Sequence, residues 1–327
     1  MSQKTYHIGI LGCANIATRS VIPAFYQHPR FKVAAIASRS IQKVSPLANQ
    51  YTCKGYGSYD ELLSDKEIDL VYIPLPTGLH SDWVMKALHA GKHVLCEKSL
   101  GVSLNEVKEM VNFANANHLL LMENFQFRFH PQTQWVIDYV LSGELGDLRC
   151  FRSQFGFPPF KDLNNIRYEK QLGGGALLDA GAYTLKSMSV ILPMETFLLR
   201  GASKIVPQHS EVDLYGGAFL ESTNGIIAEL AYGFDHYYQC GFEIWGSRGK
   251  LISTRAYTAP ANLKPVIIVE TASAGRNEFV LPAADHFALM VDHISNKLDN
   301  QDFDEEYRQD LLQASYIQQI NDYCNGI

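Results

Sequence analysis

Cysteine is scarce in this sequence, and the few cysteines stand far apart. The 327 residues contain six cysteines and no C-x-x-C pair. A chain of this length does not need disulfides to hold its core, and clustered cysteines are the usual sign of a disulfide framework or a structural zinc site. We therefore expect reduced thiols and a cytoplasmic setting.

Clustered basic residues and long apolar runs are missing too, and each absence argues against a class of function. The 28 basic residues do not cluster, and 34 acidic residues leave a net charge of −6, so we expect no nucleic-acid partner. No apolar run approaches about 18 residues, and the N-terminus leads directly into a strand pattern, so we expect no membrane span and no targeting segment.

Short apolar segments separated by helical patterns fill the first part of the chain. Six of them have strand character: YHIGILG (6–12), KVAAIAS (32–38), CKGYG (53–57), DLVYIPL (69–75), HVLCE (93–97) and LLLME (119–123). The helix after the fifth strand opens with Ser103-x-x-Glu106, a capping box. Strands alternating with helices indicate a parallel sheet, so we predict a doubly wound α/β domain over residues 1–124.

The pattern changes after residue 124. Segments such as EVDLYGGAFLES, GIIAELAYGF and CGFEIWGS follow one another with glycine- or asparagine-containing turns between them. This spacing predicts an α+β domain over residues 125–327 with an open, mostly antiparallel sheet. Residues 172–192 supply one helix within it, and two further helical patterns close the chain.

A degraded dinucleotide fingerprint follows the first strand. Gly12-x-Ala14-x-x-Ala17 leads into a helix and places Asn15 and Ile16 at its start, where backbone N–H groups would face a pyrophosphate. A tight turn between strand and helix would look the same, but the surrounding strand–helix pattern favours the cofactor site. At the end of the second strand, Ser38 and Arg39 suit a 2′-phosphate, so we favour NADP(H) over NAD(H). The alternative is an ordinary surface arginine.

Two charged or polar pairs are candidates for chemistry. Glu97 ends the fifth strand and Lys98 follows it, at the sheet edge where ligands of such folds bind, although a solvated pair in a loop is the commoner case. Asp179 and Tyr183 lie four residues apart in an otherwise apolar helix and so share one face. A buried aspartate without a partner is rare, which favours function over a purely structural role.

The chain resembles the glucose–fructose oxidoreductase / inositol dehydrogenase / MocA (Gfo/Idh/MocA) family over nearly its whole length. The motifs GILGCANIA, YIPLPTGLHSDWVMKALHAGKHVLCEK, MENFQFRFHP and LGGGALLDAGAY occur in family order. The resemblance implies a Rossmann domain followed by a domain that shapes the substrate site and often mediates oligomers. By the same resemblance Lys98 is the E-K-P lysine, and Asp179 and Tyr183 work with it in catalysis.

The resemblance also implies binding roles for other side chains. Leu75, Thr77, His80, Glu97 and Asn124 would contact the cofactor together with Lys98, and Gln126, Arg128, Arg167 and Tyr183 would contact the substrate. His80 could instead cap its helix, and Arg128 could form a structural pair.

Two positions depart from the family pattern. Ala14 replaces the second fingerprint glycine and adds a methyl group near the pyrophosphate, and Ser99 replaces the proline after Lys98. A cis peptide before a residue other than proline costs about 2.5–4 kcal/mol, so we expect the Lys98–Ser99 peptide to be trans.

Together with the resemblance, these observations predict an oxidoreductase that transfers hydride between NADP(H) and a carbonyl or carbinol carbon of a sugar-like substrate. The resemblance suggests a nucleotide-linked keto-sugar as one such substrate. Tyr183 would donate the proton, Lys98 would stabilise the charge and Asp179 would orient the group, although Lys98 and Tyr183 could exchange roles. The alternatives are an NAD-dependent dehydrogenase of free sugars, inositols or dihydrodiols, and a catalytically silent NADP(H) sensor. We expect a homodimer or homotetramer formed through the C-terminal sheet, and no metal site.

Overall fold

The computed structural model describes residues 4–162 and 164–327. These residues form two compact units. One unit comprises residues 4–124 and Phe287–Ala314, and the other comprises Phe125–His286 and Ser315–Ile327, with position 163 outside the described residues. The sequence analysis assigned everything after residue 124 to the second domain. In the structure, residues 287–314 pack within the first unit instead.

Fourteen strands and nine α-helices are formed by the described residues. The strands are β1 (Tyr6–Leu11), β2 (Phe31–Ala37), β3 (Lys54–Tyr56), β4 (Leu70–Ile73), β5 (His93–Glu97), β6 (Leu121–Asn124), β7 (Leu148–Gly156), β8 (Phe197–Ile205), β9 (Tyr215–Ser222), β10 (Ile227–Gly233), β11 (Gln239–Gly246), β12 (Gly249–Ser253), β13 (Val266–Thr271) and β14 (Gly275–Val280). The helices are α1 (Ile22–Gln27), α2 (Ile41–Tyr51), α3 (Tyr59–Ser64), α4 (His80–His89), α5 (Leu104–Ala116), α6 (Pro131–Leu141), α7 (Ala182–Ile191), α8 (His286–Asn300) and α9 (Asp304–Asn325).

The first unit is built on a six-stranded parallel sheet in the order β3-β2-β1-β4-β5-β6. This order confirms the doubly wound prediction, and it places the topological switch point between β1 and β4. The central strand β4 is buried throughout because helices cover both faces of such a sheet. The carboxyl ends of β1 and β4 therefore border the position where this fold binds ligands.

Helix caps and long-range contacts hold the helices of this unit in place. The predicted capping box forms, since Ser103 Oγ accepts the N–H of Glu106 at 3.3 Å and Glu106 Oε2 accepts the N–H of Val102 at 2.9 Å. Arg30 forms an ion pair with Asp299 of α8 at 2.6 Å, and the N–H of Glu123 in β6 donates to Asp310 of α9 at 3.3 Å. Such contacts explain why residues 287–314 join the first unit.

The second unit is built on an eight-stranded sheet in the order β14-β13-β12-β11-β7-β10-β9-β8. Only β7 and β10 pair in parallel among these described strands, so the mostly antiparallel prediction is confirmed. Side chains on one face of this sheet are buried, and those on the other face are partly exposed, as the alternation along β9 and β10 shows. Across the described residues, no helix combines the length and the apolar character needed to cross a membrane.

Candidate active site

Gly12 forms the turn between β1 and the first helix. Its φ of +119° lies in the region that favours glycine, and a Cβ there would come within 3.3 Å of Leu75 Cδ2. The helical segment begins at Asn15, directly after Ala14, and continues through a π-helical turn, Ala17–Val21, into α1. Backbone N–H groups at the start of this segment can therefore bind phosphate oxygens.

Two basic side chains lie near this turn, Arg39 after β2 and Lys43 on α2. Arg39 is exposed, and its charge partly offsets the burial that raises the pKa of Tyr59. The hydroxyl of Tyr59 lies 3.8 Å from the position that a Cβ on Gly12 would occupy, so Tyr59 lies at the edge of the glycine turn. Lys43 on α2 likewise opposes the burial that raises the pKa of Cys13. The sequence analysis missed Lys43, which stands four residues after Arg39.

Glu97 and Asn124 meet at the ends of two neighbouring strands. Glu97 Oε1 accepts hydrogen bonds from the Tyr72 hydroxyl and from Asn124 Nδ2, each at 2.7 Å. Burial raises the pKa of Glu97, and these two donors and Lys98 oppose that shift. Among the described residues, nothing donates to the buried Asn124 Oδ1, which leaves an acceptor that fits a hydroxyl or amide of a dinucleotide. Tyr72 was not predicted because it lies inside an apolar strand.

Lys98 is half-buried and follows β5, and the Lys98–Ser99 peptide is cis. Our expectation of a trans peptide was wrong. Tertiary contacts invisible in the sequence fix the residues after the bond, since the Ser99 carbonyl faces His80 Nδ1 at 2.7 Å and the N–H of Leu100 donates to Glu123 Oε1 at 2.9 Å.

His80 is fully buried, and carbonyl groups occupy both of its ring nitrogens. Nδ1 lies 2.7 Å from the Ser99 oxygen, and Nε2 lies 2.7 Å from the Leu75 oxygen. Burial, followed by the smaller effect of the nearby Lys98 charge, outweighs these carbonyls and lowers the pKa of His80 to about 4. The ring thus has no exposed nitrogen for a cofactor, and the contact predicted from the sequence is replaced by a contact with two loops. Thr77 lies half-buried in the preceding 3₁₀ turn, Thr77–Leu79.

In the second unit, Asp179 pairs with Arg167. Arg167 Nε donates to Asp179 Oδ2 at 2.7 Å, and the guanidinium also lies 4.9 Å from the centre of the Phe160 ring. Asp179 belongs to a π-helical turn, Leu177–Gly181, that leads into α7 near Tyr183. The structure therefore joins a predicted catalytic residue to a predicted substrate residue within one unit.

Aromatic rings fix the position of Tyr183. Its side chain is only 8% exposed, and its ring packs edge-on against Phe125 at 5.2 Å and Phe155 at 5.0 Å between centroids. The fully buried Lys186 lies one turn further along α7, with its ammonium 5.3 Å from the centre of the Phe125 ring. Packing of this kind restricts the phenol to a narrow range of directions.

Asp213 holds the start of the helix that carries Asp179, and sequence reasoning missed it. Asp213 Oδ2 accepts the N–H of Leu177 at 2.7 Å, and its carbonyl accepts the N–H of Ala176 at 2.8 Å. Gly175 has a φ of +118°, and a Cβ there would lie 2.5 Å from Asp213 Oδ1. The glycine-rich run before the helix thus makes room for this aspartate, and no local pattern around residue 213 signals its role.

The other predicted substrate side chains have contacts within their own unit. Gln126 is buried, and its amide donates to the Tyr257 carbonyl at 3.5 Å. Arg128 stacks its guanidinium 4.9 Å from the centre of the Phe129 ring. Their substrate roles stay predictions.

His89, His93 and Cys96 stand at a spacing that suits metal ligands, which the sequence analysis passed over. The His89 ring stacks on Phe113 at 4.2 Å, and His93 Nδ1 accepts the N–H of Leu120 at 2.9 Å. In the described part of the chain, no group of three or more His, Cys, Asp or Glu side chains is placed to hold a metal ion.

Comparison with known proteins gives matches along the whole chain. A dTDP-3,4-didehydro-2,6-dideoxy-alpha-D-glucose 3-reductase from Saccharopolyspora spinosa is 42% identical over 289 residues, covering 88% of this chain and 86% of the relative. One from Actinomadura kijaniata is 36% identical and covers 96% and 94%. The crystal structure of a 3-ketoreductase from A. kijaniata in complex with NADP and TDP-benzene superposes with a TM-score of 0.94, at 34% identity and 98% coverage of both chains.

Two family descriptions match successive parts of the chain. Residues 6–125 match "Oxidoreductase family, NAD-binding Rossmann fold", and residues 133–252 match "GFO/IDH/MocA C-terminal domain". These matches agree with the sheet order and with the motifs that carried the resemblance. The chain belongs to the Gfo/Idh/MocA family of oxidoreductases.

Proposed function

We propose that this protein is an NADPH-dependent reductase of the 3-keto group of a thymidine diphosphate-linked keto-sugar. The observation that carries the proposal is the full-length similarity, at 98% coverage of both chains, to a 3-ketoreductase solved with NADP and TDP-benzene. The relatives with 42% and 36% identity are named as 3-reductases of one such dTDP-keto-sugar. Fold alone would not identify a substrate, but similarity at this level over the whole chain supports one.

Residues of the first unit fit the cofactor. The Gly12 turn and the N–H groups after Ala14 suit the pyrophosphate, while Ser38, Arg39 and Lys43 suit the 2′-phosphate that distinguishes NADPH from NADH. Asn124 Oδ1 supplies an acceptor for a donor group of the same molecule. When bound, NADPH supplies the hydride that reduces the substrate carbonyl carbon.

Side chains of this protein supply the proton and stabilise the developing negative charge. The Tyr183 hydroxyl donates its proton to the oxygen as it becomes an alkoxide, and the Lys98 ammonium donates a hydrogen bond that stabilises the developing negative charge. Asp179 keeps Arg167 in place through their 2.7 Å ion pair, which prepares Arg167 to bind an anionic part of the substrate.

The test is reduction of a TDP-linked 3-keto-sugar, followed by NADPH absorbance and product analysis. We expect turnover by the wild type and a loss of about 10²–10⁴-fold in kcat for Tyr183→Phe, since general acid catalysis contributes on that order. Tyr237→Phe is the matched control because that side chain is 88% exposed. Faster oxidation of free sugars with NAD, or cofactor binding without turnover across a panel of carbonyl compounds, would contradict the proposal.

We also propose that two or four chains assemble through the partly exposed face of the second sheet. Register places Phe219, Glu229, Arg152, Glu243, Ile252 and Ile268 side by side on that face. We call these six residues the open-face row. Arg152 pairs with Glu229 at 2.6 Å and lies between apolar ends, a pattern that suits a self-complementary interface.

A reducing compartment such as the cytoplasm is proposed as the place of action. All six cysteines are free thiols, and three of them are buried. Free buried thiols are typical of proteins that work under reducing conditions.

A further inference from the structure

His80 connects two loops that the proposed chemistry uses. Its ring is fully buried, and its two nitrogens each lie 2.7 Å from a carbonyl oxygen, Nδ1 from Ser99 and Nε2 from Leu75. Ser99 follows Lys98 directly, and the side chain of Leu75 packs at the Gly12 turn. The imidazole therefore lies between the loop that carries the lysine and the loop beside the glycine turn.

The backbone around Lys98 is fixed on both sides. Before the lysine, the Glu97 carboxylate is held by Tyr72 and Asn124, and after it the N–H of Leu100 donates to Glu123 at 2.9 Å. The Ser99 carbonyl lies between these anchors, and Ser99 is 1% exposed. A carbonyl so deeply buried needs a donor from the protein, and His80 Nδ1 is within reach. Loss of that donor would allow the segment that carries Lys98 to shift.

A neutral imidazole has one N–H and cannot donate to both carbonyls. Burial and the positive charge of Lys98 favour the neutral ring. The contact with Ser99 is buried, whereas the contact with Leu75 is partly exposed, so an undonated carbonyl costs more at Ser99 than at Leu75. A proton on Nδ1 therefore stabilises the structure more than a proton on Nε2 does.

We propose that His80 is a positioning residue for Lys98: its Nδ1–H donates to the Ser99 carbonyl and thereby holds the lysine in the place from which it acts. This inference rests on the proposed function for its catalytic consequence but not for its structural content. It gives His80 a part in catalysis without contact with cofactor or substrate.

Two amide substitutions separate the two ring nitrogens. The side-chain nitrogen of Asn replaces Nδ1–H in His80→Asn, and that of Gln replaces Nε2–H in His80→Gln. Because a displacement of about 1 Å can cost on the order of 100-fold, we expect a roughly 10- to 100-fold lower kcat for His80→Gln and a loss within about threefold for His80→Asn. The KM for NADPH and the thermal midpoint should be similar in the two variants. Equal losses in kcat would overturn the assignment of the proton to Nδ1.

A double-mutant cycle tests whether His80 acts through the lysine. In a Lys98→Ala background, His80→Gln should lower the residual rate by less than about twofold, because the group that it positions is already gone. Losses that multiply would show that His80 acts by another route, and the proposal would fail.

A third measurement needs no substrate. Trace acylation with acetic anhydride, read by mass spectrometry, reports the reactivity of the Lys98 amine, with the exposed Lys108 of the same protein as internal reference. We expect the Lys98/Lys108 ratio to change by at least about threefold in His80→Gln and to stay near the wild-type value in His80→Asn, as amine reactivity follows local environment. If wild type does not reduce the keto-sugar but this pattern holds, the proposed function fails and the positioning role stands. Unchanged ratios in both variants would overturn the positioning role itself.

Discussion

Arg39 is the side chain that we propose to distinguish NADPH from NADH. It is exposed at the carboxyl end of β2, and its charge reaches Tyr59 at the glycine turn. An aspartate or glutamate at this strand end would hold a ribose 2′-hydroxyl, whereas a guanidinium forms charge-assisted hydrogen bonds with a 2′-phosphate. Because NADH lacks that phosphate, removal of the charge should affect only one of the two cofactors.

We expect Arg39→Ala to raise the KM for NADPH about 10- to 100-fold, since hydrogen bonds to charged groups contribute about 1.5–3 kcal/mol. The KM for NADH should change less than about twofold, on the same reasoning. Steady-state rates with each cofactor give the comparison, and Arg149→Ala is the control, because Arg149 is an exposed arginine that pairs with Asp147. Equal effects on both cofactors would contradict a 2′-phosphate contact.

At the scale of the element, the helix that carries Asp179 and Tyr183 depends on a cap from a distant residue. Asp213 accepts the N–H of Leu177 at 2.7 Å and is 9% exposed. Replacement by alanine leaves that buried N–H without its acceptor, which costs about 1–3 kcal/mol.

We therefore expect Asp213→Ala to lower the free energy of unfolding in urea by about 1–3 kcal/mol. It should also lower kcat, because the start of the helix that carries the proposed catalytic residues Asp179 and Tyr183 loosens. Asp213→Asn keeps an acceptor oxygen and should recover most of the stability, while the exposed Asp235→Ala serves as control. A stable Asp213→Ala variant would show that the cap is dispensable.

The loop between α3 and β4 gives a prediction on pH. Lys54 and the N–H of Glu67 lower the pKa of Asp65 from 3.8 to about 2. The ionised carboxylate therefore stabilises the fold above the unfolded-state pKa, about 3.9, and this contribution is lost as the pH falls through about 2.

Between pH 5 and pH 2 the wild type should lose about 1–2 kcal/mol more of its unfolding free energy than Asp65→Asn, a value reduced for the partly exposed partner. Urea unfolding at several pH values measures it. Asp60→Asn, which removes an exposed carboxylate paired with Lys86, provides the reference. Parallel pH profiles for wild type and Asp65→Asn would contradict the shift.

At the scale of the whole molecule, the open-face row is the surface that we propose to be covered by another copy of the chain. Phe219 is 41% exposed on a strand whose neighbouring residues Ala218 and Leu220 are buried. An exposed phenylalanine beside an arginine–glutamate pair is costly to leave in water, and burial of a large apolar side chain contributes about 1.5–3 kcal/mol.

We expect Phe219→Glu to shift the assembly towards the mass of a single chain in light scattering, because it places a second acid opposite Glu229. Met194→Glu, at an 83% exposed position outside the strands, should leave the mass unchanged. An unchanged mass for Phe219→Glu would place the interface elsewhere.

The sequence by itself determined the two folds, the family and the position of Lys98, because strand alternation, helix caps and motif spacing are encoded between near neighbours along the chain. The tertiary structure alone decided which partner each polar group meets. His80 meets Ser99, Arg167 meets Asp179, and Asp213 caps a helix that begins 36 residues earlier. Residues 287–314 joined the first unit for the same reason. Such pairings follow from which surfaces the core brings together, and no local pattern records them.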